Sequence, residues 1–190
     1  MTTVDGLRQA LADNEKLADD LRRVAGKPET VAGLFPAAGR RYGREPLADG
    51  WTTDEAARAL LLAAAPPSEI HEIYRYGDTA EKLAVLKALP LLPIGDTGVP
   101  LLEDALRTND TRLVAAALGP YSDRLSPQMW RQAVLKCVFM GVPLKVVHRL
   151  HERADARLGS MLRAFAQERE AAGRDVPPDA LALLDQLKEA

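Results

Sequence analysis

Apolar residues recur three and four positions apart along nearly the whole chain, and no stretch shows the alternation of Val, Ile, Thr and aromatics that marks a half-buried strand. The pattern predicts an all-α fold. Near the start, Val4, Leu7, Leu11, Ala18, Leu21 and Ala25 form one narrow stripe, and Gly26 and Pro28 follow as stop signals, so residues 1–26 are expected as a single amphipathic helix. Thr52-x-x-Glu55 and Asp78-x-x-Glu81 have the form of capping boxes, and Ser126-Pro127 places an N-cap beside a proline at the first helical position. Pro66-Pro67, Gly77, Pro90 to Pro93, Gly119-Pro120, Gly141 with Pro143, and Gly173 mark helix ends. Together these signals predict about eight to ten helices with short connections. The longest irregular stretch is expected over residues 38–50, a Gly/Arg loop carrying Arg40, Arg41 and Arg44.

Two segments repeat one another faintly. Asp78 to Leu89 and Asp110 to Leu118 both open on Asp-Thr and run into an apolar helix of small residues, and Ala84-Val85-Leu86-Lys87 recurs as Ala133-Val134-Leu135-Lys136. Stacked helical hairpins would produce such repetition. A HEAT-like solenoid core over residues 78–174 and an irregular helical bundle both satisfy the pattern.

Length and charge narrow the function classes. At 190 residues the chain fits one domain, read here as residues 1–190, and 25 basic against 27 acidic side chains leave a net charge of −2. No positive field exists to gather a phosphate backbone, so no nucleic-acid partner is expected. The start carries scattered charges in place of a signal peptide's apolar core, and no window reaches 18 uninterrupted apolar residues, so no membrane insertion is expected. The single cysteine, Cys137, can form no internal disulfide, which suits a reducing, cytoplasmic setting.

Familiar catalytic patterns are missing. His148, His151 and Glu152 offer metal-ligand atoms at helical spacing, yet their order matches neither H-E-x-x-H nor H-x-x-E-H; with His71 isolated, no metal is expected. No phosphate-binding or dinucleotide glycine pattern and no serine elbow occurs, so no cofactor is expected either. Lys136 stands out because Val134, Leu135, Cys137, Val138, Phe139 and Met140 leave its helix almost no polar face, and its ammonium must snorkel, meet a carboxylate or line a polar cavity. Asn109 and Asp110 lie at a turn between helices, Glu152-Arg153 and Glu168-Arg169 place opposite charges on two later helices, and Arg169 extends an apolar stripe of Leu158, Met161, Leu162 and Phe165. These groups fit a salt-bridge network between helices or a polar pocket for a phosphate or polyol. Arg40, Arg41 and Arg44 fit a solvated loop or an anion site.

The stretches LRTNDTRLVAAALGPYSDRL (Leu106 to Leu125), MWRQAVLKCVFMGVPL (Met129 to Leu144) and HERADARLGSMLRAFAQEREAAGR (His151 to Arg174) resemble the EboA-domain family, as do FPAAGRRYGREPL and WTTDEAARALLLAA more weakly. Where that family tends to read G-L-D-E-R-A-N, this chain has Arg149 to Asp155, and Glu170 stands where an aromatic is usual. The resemblance implies a bacterial gene cluster for a small metabolite, encoded beside a prenyltransferase-like and a cyclase-like enzyme, with a prenylated or phosphorylated cyclitol-type product. The expectation is an accessory helical protein that binds a polar or phosphorylated intermediate, or a pathway enzyme, in a groove between helices. Lys136, Arg153 and Arg169 would counter negative charge, with Asn109, Asp110, Glu152 and Glu168 orienting them or accepting hydroxyl hydrogen bonds. The alternative is an enzyme of the same pathway using Glu152 or Glu168 as general acid or base, with Lys136 and Arg153 stabilising an anion. A third reading makes the N-terminal stripe a homodimer contact.

Overall fold

The computed structural model describes residues 2–189. Among the described residues there are twelve α-helices and no strand. They are α1 (Val4–Ala10), α2 (Glu15–Gly26), α3 (Val31–Tyr42), α4 (Thr53–Ala63), α5 (Pro67–Tyr76), α6 (Thr79–Ala88), α7 (Val99–Arg107), α8 (Thr111–Ala117), α9 (Pro127–Met140), α10 (Leu150–Arg153), α11 (Ala156–Ala171) and α12 (Pro178–Glu189). The all-α expectation is met. The chain divides into two compact units, residues 1–101 and 102–190.

In the first unit α4 is the central helix, packed against α1, α2, α3 and α6. Its Ala56, Ala57, Ala59, Leu60, Leu61 and Leu62 are all buried, the small residues letting neighbours approach from several sides. Two sequence boundaries change here. Residues 1–26 are two helices, because Asn14 caps a new one through its side chain at Leu17 N, and the break at residues 11–14 resets the helical phase. The buried set is therefore Leu7, Leu11, Leu17, Asp20 and Val24, not a stripe continuing through Ala18, Leu21 and Ala25. With α1 and α2 packed on α4, that face is consumed inside the unit and is not free for the self-association it suggested.

The expected loop over residues 38–50 is also corrected: α3 runs through Ala38 and both Arg40 and Arg41 to Tyr42, despite Pro36 within it. An interior proline removes a backbone hydrogen bond. Burial of Leu34, Phe35, Ala38 and Tyr42 on one face offsets that loss.

In the second unit α9 packs on α8 and α11, and α11 on α12. Trp130, Ala133, Val134, Cys137 and Val138 give α9 its buried face, while Leu158, Leu162 and Ala166 do the same for α11. The caps read from sequence are present: Asp78 accepts from Glu81 N at 2.9 Å, Asp110 from Arg112 N at 2.9 Å and Ser126 from Met129 N at 3.3 Å.

Candidate functional site

Helix α9 has two working faces. Opposite its core side, Gln132, Leu135, Lys136, Phe139 and Met140 fall at i, i+3, i+4, i+7 and i+8, a single stripe. Met161, Ala164, Phe165 and Glu168 make the matching stripe on α11. Between them, with Asn109 also in its lining, is an open groove of about 720 Å³. Leu135, Phe139, Met140, Met161, Ala164 and Phe165 make it predominantly apolar, and Phe139 is 73% exposed. An apolar helix with almost no polar side is thus explained: one face is core and the other lines the groove.

Lys136 is held rather than free. Its Nζ donates to Leu106 O and Thr108 O, both at 2.7 Å, and so clamps the C-terminal end of α7. The other copy of the Ala-Val-Leu-Lys tetrapeptide behaves alike: in the first unit Lys87 Nζ donates to Gly50 O at 2.8 Å and to Glu55 Oε2 at 2.7 Å, with Trp51 under the ammonium. In both places a lysine on a largely apolar helix donates to main-chain oxygen at the end of an earlier element, two for Lys136 and one for Lys87.

The remaining predicted residues divide between the groove and structural duties. Asn109 and Glu168 line the groove with Lys136. Asp110 caps α8 and pairs with Arg112, whose hydrogen bonds hold its carboxyl down at about 2. Arg153 donates to Ser122 O at 2.8 Å and Leu125 O at 3.2 Å and covers the Trp130 ring at 4.6 Å. Burial lowers its pKa, opposed by the Asp123 charge. Arg169 donates to Asp175 O at 2.6 Å and stacks over the Phe165 ring. Neither arginine is among the residues lining the groove.

Glu152 pairs with Arg149 at 2.6 Å beside a separate depression walled by α10 and α12. The acid, lysine and arginine of the enzymatic alternative are therefore not assembled as a set: Glu168 and Lys136 share the groove, while Glu152 and Arg153 belong elsewhere. His148 stands 3.7 Å from Asp123, and no group of three or more His, Cys, Asp and Glu among the described residues is placed to hold a metal ion. Burial pushes the Cys137 thiol up to about 12, leaving it inert.

The three arginines of the expected anion loop lie in the first unit and do different things. Arg41 and Tyr42 both donate to Asp20, which is 1% exposed; the Arg41 Nη2 contact is 2.8 Å and that of Tyr42 Oη 2.9 Å. Burial alone would raise the Asp20 pKa, but the hydrogen bonds from Arg41 and Tyr42 and the charges of Arg41 and Arg23 overcome it and lower it. Burial and the same carboxylate push the Tyr42 hydroxyl up to about 12. Arg40 and Arg44 are exposed. Asp20 was not singled out by its position in the sequence. Its signal was the α2 register: with Asn14 taken as the N-cap, Leu17, Asp20 and Val24 fall on one face.

The sequence model of the family described as "Metabolite traffic protein EboA" matches residues 37–185. The chain belongs to the EboA family. No curated protein and no solved structure matches it. The EboA match contains every residue that lines the groove, together with the Lys136 clamp. Arg149 adopts a left-handed conformation, φ 53° and ψ 36°. Glycine reaches that region without strain. Here an arginine occupies it, tied to Glu152 at 2.6 Å and Asp123 at 3.2 Å. Membership in a family described by metabolite traffic places the chain in a metabolite-associated accessory role.

Proposed function

We propose that this EboA-family chain is an accessory protein of a bacterial small-metabolite pathway that shelters the apolar part of an intermediate in the α9/α11 groove, in the cytoplasm. The observation that carries the reading is the groove: a concave, largely apolar surface of about 720 Å³ with a few polar groups in its lining. Small-molecule sites have this composition and fall in a range of roughly 300–1,000 Å³. Of the two product types the family resemblance implies, this lining supports the prenylated one. A phosphorylated, wholly polar intermediate would desolvate against Phe139, Met140, Met161 and Phe165 without compensation.

Isothermal titration with farnesol and with glucose 6-phosphate tests the proposal. Farnesol should bind and glucose 6-phosphate should not. Ala164→Trp, which puts an indole into the groove from an exposed backbone position, should abolish farnesol binding while leaving the helical circular dichroism unchanged. Failure of farnesol to bind, or binding unaffected by Ala164→Trp, would remove the groove from the function.

A further inference from the structure

We infer that the α9/α11 groove takes apolar bodies of differing outline, linear or cyclic, in place of one fitted shape; this rests on the groove being the ligand site. Methionine is concentrated there. The chain has four, and of the three within the described residues Met140 and Met161 line the groove, while Met129 lines a smaller depression of about 290 Å³ between α7 and α9. None of the three belongs to the buried core. An unbranched thioether with three rotatable bonds fills irregular space and re-packs around whatever meets it, which is why methionine marks binding surfaces that accept several partners.

The two aromatic side chains of the groove are held differently. Phe165 is fixed: the Arg169 guanidinium stands 5.7 Å from its ring centroid and is itself tied to Asp175 O at 2.6 Å. Phe139 is 73% exposed, with no cation or second ring against it among the described residues. Phe139, Met140 and Met161 are thus free to adjust while Phe165 stays in place. The polar side chains of the lining are not pre-set either. Asn109, Gln132 and Glu168 make no side-chain hydrogen bond or ion pair among the described residues, and Lys136 is committed to Leu106 O and Thr108 O. Selection of one shape in one orientation needs walls locked by packing and polar groups held by their own partners. With one wall fixed and the rest adaptable, the groove selects for apolar character and tolerates outline.

Isothermal titration of the full chain with three isomeric sesquiterpene alcohols, linear farnesol, monocyclic bisabolol and tricyclic cedrol, tests this. In a fitted pocket a single extra methylene already separates ligands by about 10–200-fold. The three isomers should instead bind within about tenfold of one another. Met140→Ile/Met161→Ile puts in β-branched side chains of similar size that a helix confines to one main rotamer, and it should widen the spread by about tenfold or more. Met140→Leu/Met161→Leu, a volume-conserving swap that keeps the fold, should move the spread in the same direction. A parent spread clearly wider than about tenfold, or one that neither double variant widens, overturns the inference while the groove stands. If none of the three alcohols binds, or if Ala164→Trp leaves their binding intact, the groove reading itself fails and the inference falls with it.

Discussion

Replacing Lys136 by methionine separates a clamp from a ligand anchor. The substitution keeps the apolar stem of the side chain and removes the ammonium that holds Leu106 O and Thr108 O at 2.7 Å each. A hydrogen bond to a charged group contributes about 1.5–3 kcal/mol. Both carbonyls are only part-buried, so water recovers a share of the loss, and the expected destabilisation is about 2–3 kcal/mol. For a chain of this length each kcal/mol moves the melting midpoint by about 2–4 °C, so a fall of roughly 5–10 °C should accompany it. Urea unfolding followed by circular dichroism gives the free energy directly, with the slope against urea unchanged if only the clamp is lost. A change below about 0.5 kcal/mol would refute the clamp, since that is the range of an ordinary surface substitution. An anion anchor would give the opposite pair of results: stability preserved and binding of phosphorylated compounds lost.

Adjacent Arg40 and Arg41 should behave differently despite their identical chemistry. Arg41→Met leaves Asp20 buried with less compensation and should cost about 2–4 kcal/mol, whereas Arg40→Ala should stay within about 0.5 kcal/mol, both measured by urea unfolding. Acid should weaken the fold. The carboxyls of Asp155, held down by the Arg131 hydrogen bonds, of Asp110, held at about 2 by Arg112, and of Asp20 all titrate lower in the folded chain than in the unfolded one. Their contribution is complete above the unfolded carboxyl value of about 3.9 and disappears as pH falls through the lower folded values, so stability should drop between about pH 4 and pH 2. Asp155→Asn should make that acid limb shallower in urea midpoints taken against pH. Arg149→Gly relieves about 1 kcal/mol of left-handed strain and gives up two exposed ion pairs of about 0–1 kcal/mol each. Its melting midpoint should remain within about 4 °C of the parent, while Arg149→Val, which keeps the strain and loses the pairs, should melt clearly lower.

Local chemistry was enough to predict the helices and many of their ends. Periodicity ruled out strands, and the caps at Asp78, Asp110 and Ser126 were readable because each is satisfied by a backbone N–H two or three residues away. Lys136 was conspicuous for the same local reason, an ammonium on a helix without a polar side. What it touches was not readable: its partners lie 30 and 28 residues earlier in the chain, and a charge's partner is set by packing, not by spacing. The same holds for Arg153, whose partners Ser122 O and Leu125 O lie 31 and 28 residues earlier; Arg169 donates to Asp175 O only six residues on, in the connection between α11 and α12.

Pro36, Gly39 and Gly43 locally favour a loop, yet α3 persists through Tyr42 because Phe35, Ala38 and Tyr42 bury themselves, and the apolar area so removed from water exceeds the local penalty. Sequence alone therefore determined that this chain is helical and where most helices begin. Tertiary structure decided which faces meet: the two apolar sides of α9 are indistinguishable in a one-dimensional pattern, and only the placement of α11 makes one of them core and the other a groove.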